Sequence, residues 1–158
     1  MKTRDIHRII LSILLLMLAG HAWSEEWQFR GFLPRGTAYY DQSSIKKTSD
    51  NVYQVWTVTI YNENGKKDAF ALLTRHHKAP DNPEILTHES VLIEFDCKNE
   101  KYRIASINIF DEIGSILLSA PEINDKWREV VPKSINESLK NKICSAGKKT
   151  DQEKKTVP

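Results

Sequence analysis

The chain has 158 residues, of which 28% are charged and 40% hydrophobic, and a formal net charge of +2. Three of its 23 basic and one of its 21 acidic side chains fall in residues 1–24, so the remainder carries 20 of each sign. That balance excludes a nucleic-acid footprint, which needs a basic excess, and the length suits one domain.

Met1 to Arg8 is a basic segment, and an apolar run from Ile9 to Ala19 follows it, broken only by Ser12. About eleven residues of helix reach about 16 Å, short of a hydrocarbon core of about 30 Å. Ala22 and Ser24 are the small residues that precede a signal cleavage between Ser24 and Glu25. Residues 1–24 therefore read as a removable export signal. Leu18-Ala19-Gly20 resembles the start of a bacterial lipoprotein box, but His21 stands where the lipid-bearing thiol would be. The expected product has no lipid anchor and lies in the periplasm or outside the cell.

Thr37 to Asp41 and Ile45 to Lys47 read as short strands around Asp41-Gln42-Ser43-Ser44, whose side chains can bond turn backbone. Asn51 to Tyr61 is the clearest strand. Val52, Trp56, Val58 and Ile60 form its apolar side, and Thr57 and Thr59 face the other way. The Asn64-Gly65 pair that follows is a turn signal. Asp68 to Thr74 fits a strand or one helical turn, and Lys78 to Glu89, with two prolines, reads as loop.

Ser90 to Cys97 and Tyr102 to Phe110 pair around Lys98-Asn99-Glu100. In the second of these, Arg103, Ala105, Ile107 and Ile109 share a face, with Ile104, Ser106, Asn108 and Phe110 opposite. Ile116 to Ser119 is a further strand after Asp111-Glu112-Ile113-Gly114. About six short strands with hairpin-length connections predict an antiparallel meander. Ser134-Ile135-Asn136-Glu137 is a capping box, in which the Ser134 hydroxyl accepts from the Glu137 amide and Glu137 reaches back to the Ser134 amide. Ile135, Leu139 and Ile143 then recur every four residues, which predicts a helix ending near Gly147 and packed on the sheet. The domain expected is 25–147, of α+β class, with 148–158 a disordered polar tail.

Cys97 and Cys144 are the only cysteines, and an even count in an exported chain reads first as a disulfide. The loop of about 48 residues that it closes corresponds to about 4 kcal/mol of chain entropy. Cys144 lies about 100° around the helix from Ile143, so the bridge requires the last turn to roll toward the sheet or to loosen.

Catalytic chemistry finds little footing. His76, His77 and His88 flank a loop that also carries Asp81, Glu84 and Glu89, but no HxH or HExxH spacing is present. They read as solvated loop residues, so no metal or other cofactor is expected. There is no GxSxG, P-loop or dinucleotide fingerprint either. Trp27, Tyr39, Tyr40, Trp56, Tyr102 and Trp127 lie in or beside predicted strands. Core packing and a binding face would use the same residue types.

One set of landmarks carries more. Trp27, Tyr39-Tyr40-Asp41 with Ser44-Ile45, Val55-Trp56, Asp96-Cys97 followed by Tyr102-Arg103, Gly114, Trp127, Pro132 and Cys144 occur in that order. From Trp27 to Cys144 the chain resembles the surface-adhesin protein E family of Gram-negative bacteria. The resemblance implies an antiparallel sheet with a C-terminal helix tethered to it by a disulfide. It also implies a non-enzymatic role in attachment to host extracellular proteins. His21, in place of an anchoring cysteine, keeps a second expectation open: a periplasmic accessory protein that binds a bacterial envelope partner.

Overall fold

The computed structural model describes residues 25–121 and 126–155. One antiparallel sheet of eight strands organises them. The strands are β1 (Trp27–Leu33), β2 (Gly36–Asp41), β3 (Lys46–Ser49), β4 (Val52–Tyr61), β5 (Leu86–Asp96), β6 (Lys101–Asp111), β7 (Ile116–Pro121) and β8 (Arg128–Glu129). The order across the sheet is β1-β2-β4-β5-β6-β7, with β3 beside β4 and β8 beside β6. The helices are α1 (Glu63–Arg75) and α2 (Ile135–Lys155). The export signal expected in residues 1–24, with its cleavage at Ser24, lies outside the described residues.

The α+β class and the C-terminal helix agree with the sequence, and several local details differ. Eight strands replace about six. β1 escapes the period-two pattern because its register shifts between Phe29 and Gly31, leaving Arg30 as a bulge. Asn64-Gly65 is not a hairpin turn but the first turn of α1. Asn62 caps that helix, its Oδ1 accepting from the Gly65 amide at 3.0 Å. Gly65 is required by a close approach, since a Cβ there would stand 2.0 Å from the Arg35 carbonyl oxygen. Asp68 to Thr74, open between strand and helix, forms the body of α1 with Ala69 and Leu73 buried. The loop expected to reach Glu89 ends earlier: Pro83–Ile85 make one 3-10 turn, and β5 starts at Leu86.

The faces of the sheet are assigned the other way round from the expectation. On β4 the odd positions Tyr53, Val55, Thr57, Thr59 and Tyr61 are buried, while Trp56 and Val58 are half-buried and Ile60 is 52% exposed. Thr57 is tolerated inside because its hydroxyl donates to the Val91 carbonyl at 3.1 Å. Both helices pack on this odd face. Leu139 and Ile143 of α2 join Tyr40, Tyr53, Val55, Val91, Ile93 and Phe95. Ala69 and Leu73 of α1 join Tyr61, Leu86, Ile109 and Leu118. In β6 the alternation breaks at Ala105, where the pairing with β5 slips by one residue. Ile104 therefore turns to the core and Arg103 to the other face, where its Nε donates to Glu94 Oε2 at 2.6 Å.

Helix α2 starts as its cap predicts, with one change. The Glu137 amide donates to Ser134 Oγ at 3.2 Å, but Glu137 Oε2 accepts from the Lys133 amide at 2.7 Å, not from Ser134. The Ser134 amide is already taken by the Val131 carbonyl in the preceding turn. The helix also runs to Lys155 instead of stopping near Gly147, through a segment of Lys, Gln and Glu that favours helix. It is continuous at Cys144, which is placed at disulfide distance from Cys97 with Cα atoms 5.8 Å apart. The helix has rolled toward the sheet without loosening. Cys97 meets it from the turn just after β5, where its amide donates to the Asn51 carbonyl at 2.8 Å. Lys140, buried on the same helix, donates to Glu100 Oε1 at 2.6 Å.

Two stability outcomes follow from this attachment. Replacing both Cys97 and Cys144 by Ser should lower the unfolding free energy by up to about 4 kcal/mol in urea titrations. Ser134→Ala should cost about 1 kcal/mol in the same assay.

Candidate functional site

With both helices on one side, no described helix covers the even face of β4 and its neighbours. Strand pairing lines up its side chains in rungs. One rung runs Phe29, Tyr39, Val58, Ser90 and Asn108, and the next runs Phe32, Thr37, Ile60, His88 and Phe110. Trp27 pairs with Asp41 on the same face. Two adjoining depressions of about 400 and 430 Å³ share Glu25, Trp27, Val58 and His88 as walls. Trp56, Asp41, Ser90, Asn108 and Phe110 complete the first, and Tyr39 and Ile60 the second. Together they form one shallow groove across the middle of the sheet.

Its walls are held by specific contacts. Trp27 Nε1 donates to Glu25 Oε2 at 2.8 Å. Asp41 Oδ1 accepts from the Glu26 amide (3.1 Å), the Ser43 amide (2.9 Å) and the Ser43 hydroxyl (2.6 Å). This is the turn role expected of Asp41, and it also ties the start of β1 to β2. The His88 ring stacks on Phe110 with centroids 4.5 Å apart, and its Nδ1 lies 2.9 Å from the Thr87 hydroxyl. Burial pushes the His88 imidazole below its ordinary 6.5. Phe29 meets both Phe32 and Tyr39 edge-on, at 5.3 and 5.9 Å. Farther along the face the Arg103 guanidinium lies 4.9 Å from the Trp127 ring centre.

The opposite face holds a polar cluster in the gap between α1 and α2. Glu89 is only 4% exposed there, and its Oε2 accepts from Arg35 Nη2 and, at 3.1 Å, from the Tyr61 hydroxyl. Burial pushes its carboxyl above the ordinary 4.5, while Arg35 and Tyr61 pull it back. The Tyr61 phenol is held far up by burial and the adjacent carboxylate. Arg30, which donates to Asn136 Oδ1, is brought down to about 10 by burial. These contacts tie the β1–β2 turn to β4 and β5 and tie β1 to the start of α2, with both bonds to the carboxylate falling on one oxygen.

Among the residues singled out from the sequence, Trp27, Tyr39 and Trp56 come together on the open face. Tyr40 and Tyr102 pack with the core, and Trp127 stands beside Arg103. The three histidines separate. His76 caps the C-terminus of α1, His77 follows with a φ of 55°, and His88 is a strand residue of the groove. Among the described residues no group of three His, Cys, Asp or Glu side chains is placed to hold a metal ion. Sequence reasoning missed Phe29, Phe32 and Phe110 as part of the face, and the Arg35–Glu89–Tyr61 cluster altogether. The period of two puts Phe110 on the Asn108 side of its strand, but the bulge at Arg30 hides Phe29 and Phe32 from it; the cluster joins residues far apart in the chain and leaves no local signal.

The described residues form an α+β scaffold: a sheet with helices on one side, an aromatic open face and a C-terminal helix placed at disulfide distance. The chain belongs to the surface-adhesin protein E family, whose pattern it matches over residues 29–145. No curated protein and no solved structure matches it.

The buried carboxyl gives a pH outcome with a definite sign. Glu89 binds its proton more tightly folded than unfolded, so its contribution to stability is complete below about pH 4.5 and is lost as pH rises through the folded value. The Glu89→Gln variant lacks this loss. Urea titrations should therefore show wild type falling relative to Glu89→Gln between pH 4 and pH 7.

Proposed function

We propose that the chain is an exported, non-enzymatic binding module that docks a protein partner on the open face of its sheet. The observation that carries this reading is the uncovered apolar surface itself. Phe29 is 52% exposed, Phe32 80% and Ile60 52%, and they adjoin Trp27, Tyr39 and Trp56. Clustered exposed aromatics of this kind are characteristic of interaction surfaces, because removing them from water is worth about 25 cal/mol for each Å². The helix-covered side supports the role by keeping the sheet rigid, so little ordering entropy is lost on docking. Membership of the family favours a host extracellular protein as the partner.

Export rests on residues 1–24 as a signal, with the mature chain starting at Glu25. His21, where a lipid-bearing cysteine would stand, favours a second reading in which the released protein binds a bacterial envelope protein in the periplasm. The two readings separate by location. Surface-added protease should digest the protein on intact cells if it is an adhesin, and should spare it until osmotic shock if it is periplasmic.

The docking face has its own test. Phe29→Ser and Phe32→Ser alter exposed side chains, and each should change stability by less than about 1 kcal/mol. Combined with Trp27→Ser, they should weaken binding to a panel of immobilised extracellular-matrix and envelope proteins by about 10-fold or more. Unchanged binding by a folded triple variant would remove the open face from the function.

A further inference from the structure

We propose that the groove on the open face is a receptor for an arginine side chain presented by the docked partner; this deepens the docking reading above and rests on it. The argument is one of chemical complementarity. Both depressions are walled by aromatic rings, with Trp27, Trp56 and Phe110 around the first and Trp27 and Tyr39 around the second. The charged groups on the walls are the carboxylates of Glu25 and Asp41, and among the described residues no lysine or arginine lines either depression. Burial shifts His88 toward its neutral form, which lessens any opposing charge there. A ring-walled, acid-bearing groove suits a cation with flat apolar faces.

Arginine fits better than lysine. Its guanidinium stacks on indole and phenol faces, it is weakly hydrated, and its fork of N–H donors matches a carboxylate. Asp41 directs all three of its side-chain hydrogen bonds to Oδ1, which leaves Oδ2 to accept from a guanidinium N–H. The Ser90 hydroxyl and Asn108 amide, bonded to each other at 3.1 Å, supply further polar groups on the floor. Cleavage before Glu25 would add an α-ammonium at that residue and offset its carboxylate; Asp41 would then remain as the net negative charge of the groove.

The experiment is a titration of the exported chain, disulfide intact, with the capped tripeptide Ac-Gly-Arg-Gly-NH2 and with its citrulline twin, which keeps the shape and removes the charge. Indole N–H signals of Trp27 and Trp56 in 1H–15N NMR spectra report the groove, and Trp127, outside both depressions, is the internal control. The arginine peptide should shift Trp27 and Trp56 saturably with a Kd of about 1 mM, and the citrulline peptide should bind about 3- to 30-fold more weakly. Glu25→Gln with Asp41→Asn, which keeps the Oδ1 acceptor of the turn, should reduce that preference, as should Trp27→Leu. Equal binding of the two peptides, or shifts confined to Trp127, would overturn the proposal. If that happens while the Phe29, Phe32 and Trp27 triple variant still loses partner binding, the open face remains the docking surface and only its arginine preference falls.

Discussion

Among the described residues, everything distinctive depends on a sheet of eight strands being covered by helices on one face only. A sheet that buries one side gains its hydrophobic stabilisation there and leaves the other to water, which normally selects polar residues. Here the second side is not polar. The central strand β4 is apolar on both faces, with Tyr53, Val55 and Tyr61 against the helices and Trp56, Val58 and Ile60 away from them. Placing α1 and α2 together on the odd face thus creates the groove as a remainder.

That placement is held at several points. α2 is fixed by Leu139 and Ile143, whose burial is worth about 1.5–3 kcal/mol each, by the Cys97–Cys144 pair and by Lys140 on Glu100. α1 is fixed at its start by Asn62 and by the close approach of Gly65 to Arg35. The Arg35–Glu89–Tyr61 cluster joins the two ends, since Arg35 sits in the β1–β2 turn, Glu89 in β5 and Tyr61 at the end of β4. A buried ion pair is poor evidence of stability, because desolvation opposes it. Its geometric consequence is clearer: one carboxylate oxygen sets the spacing of three elements.

Much of this was legible in the sequence, and the boundary is physical. Strands β4, β6 and β7 and the start of α2 were readable because period-two alternation and a capping box are local signals. β1 was hidden by the bulge at Arg30, and the reversed face of Arg103 and Ile104 by the slip at Ala105. Neither leaves a trace in composition. α1 was hidden because Asn62 to Gly65 carries a hairpin signature, while the reason for Gly65 lies about thirty residues earlier in the chain, at Arg35. Trp27, Tyr39 and Trp56 were visible as candidates, but which face of β4 remains open is decided by where the helices pack, a tertiary fact.

The bulge in β1 carries one more consequence. Among the described residues β1 is an edge strand, with a neighbouring strand on one side only. With Phe29 and Phe32 alongside, a straight edge of seven residues would template the addition of another chain and so seed aggregation. The register shift beside Gly31 breaks that edge into two short pieces. Gly31, at a φ of 149°, also admits Ile135 of α2, because a Cβ there would lie 2.8 Å from the Ile135 Cδ1 atom. The same irregularity that seats the C-terminal helix thus shortens the edge open to strand addition beside the exposed aromatic rings.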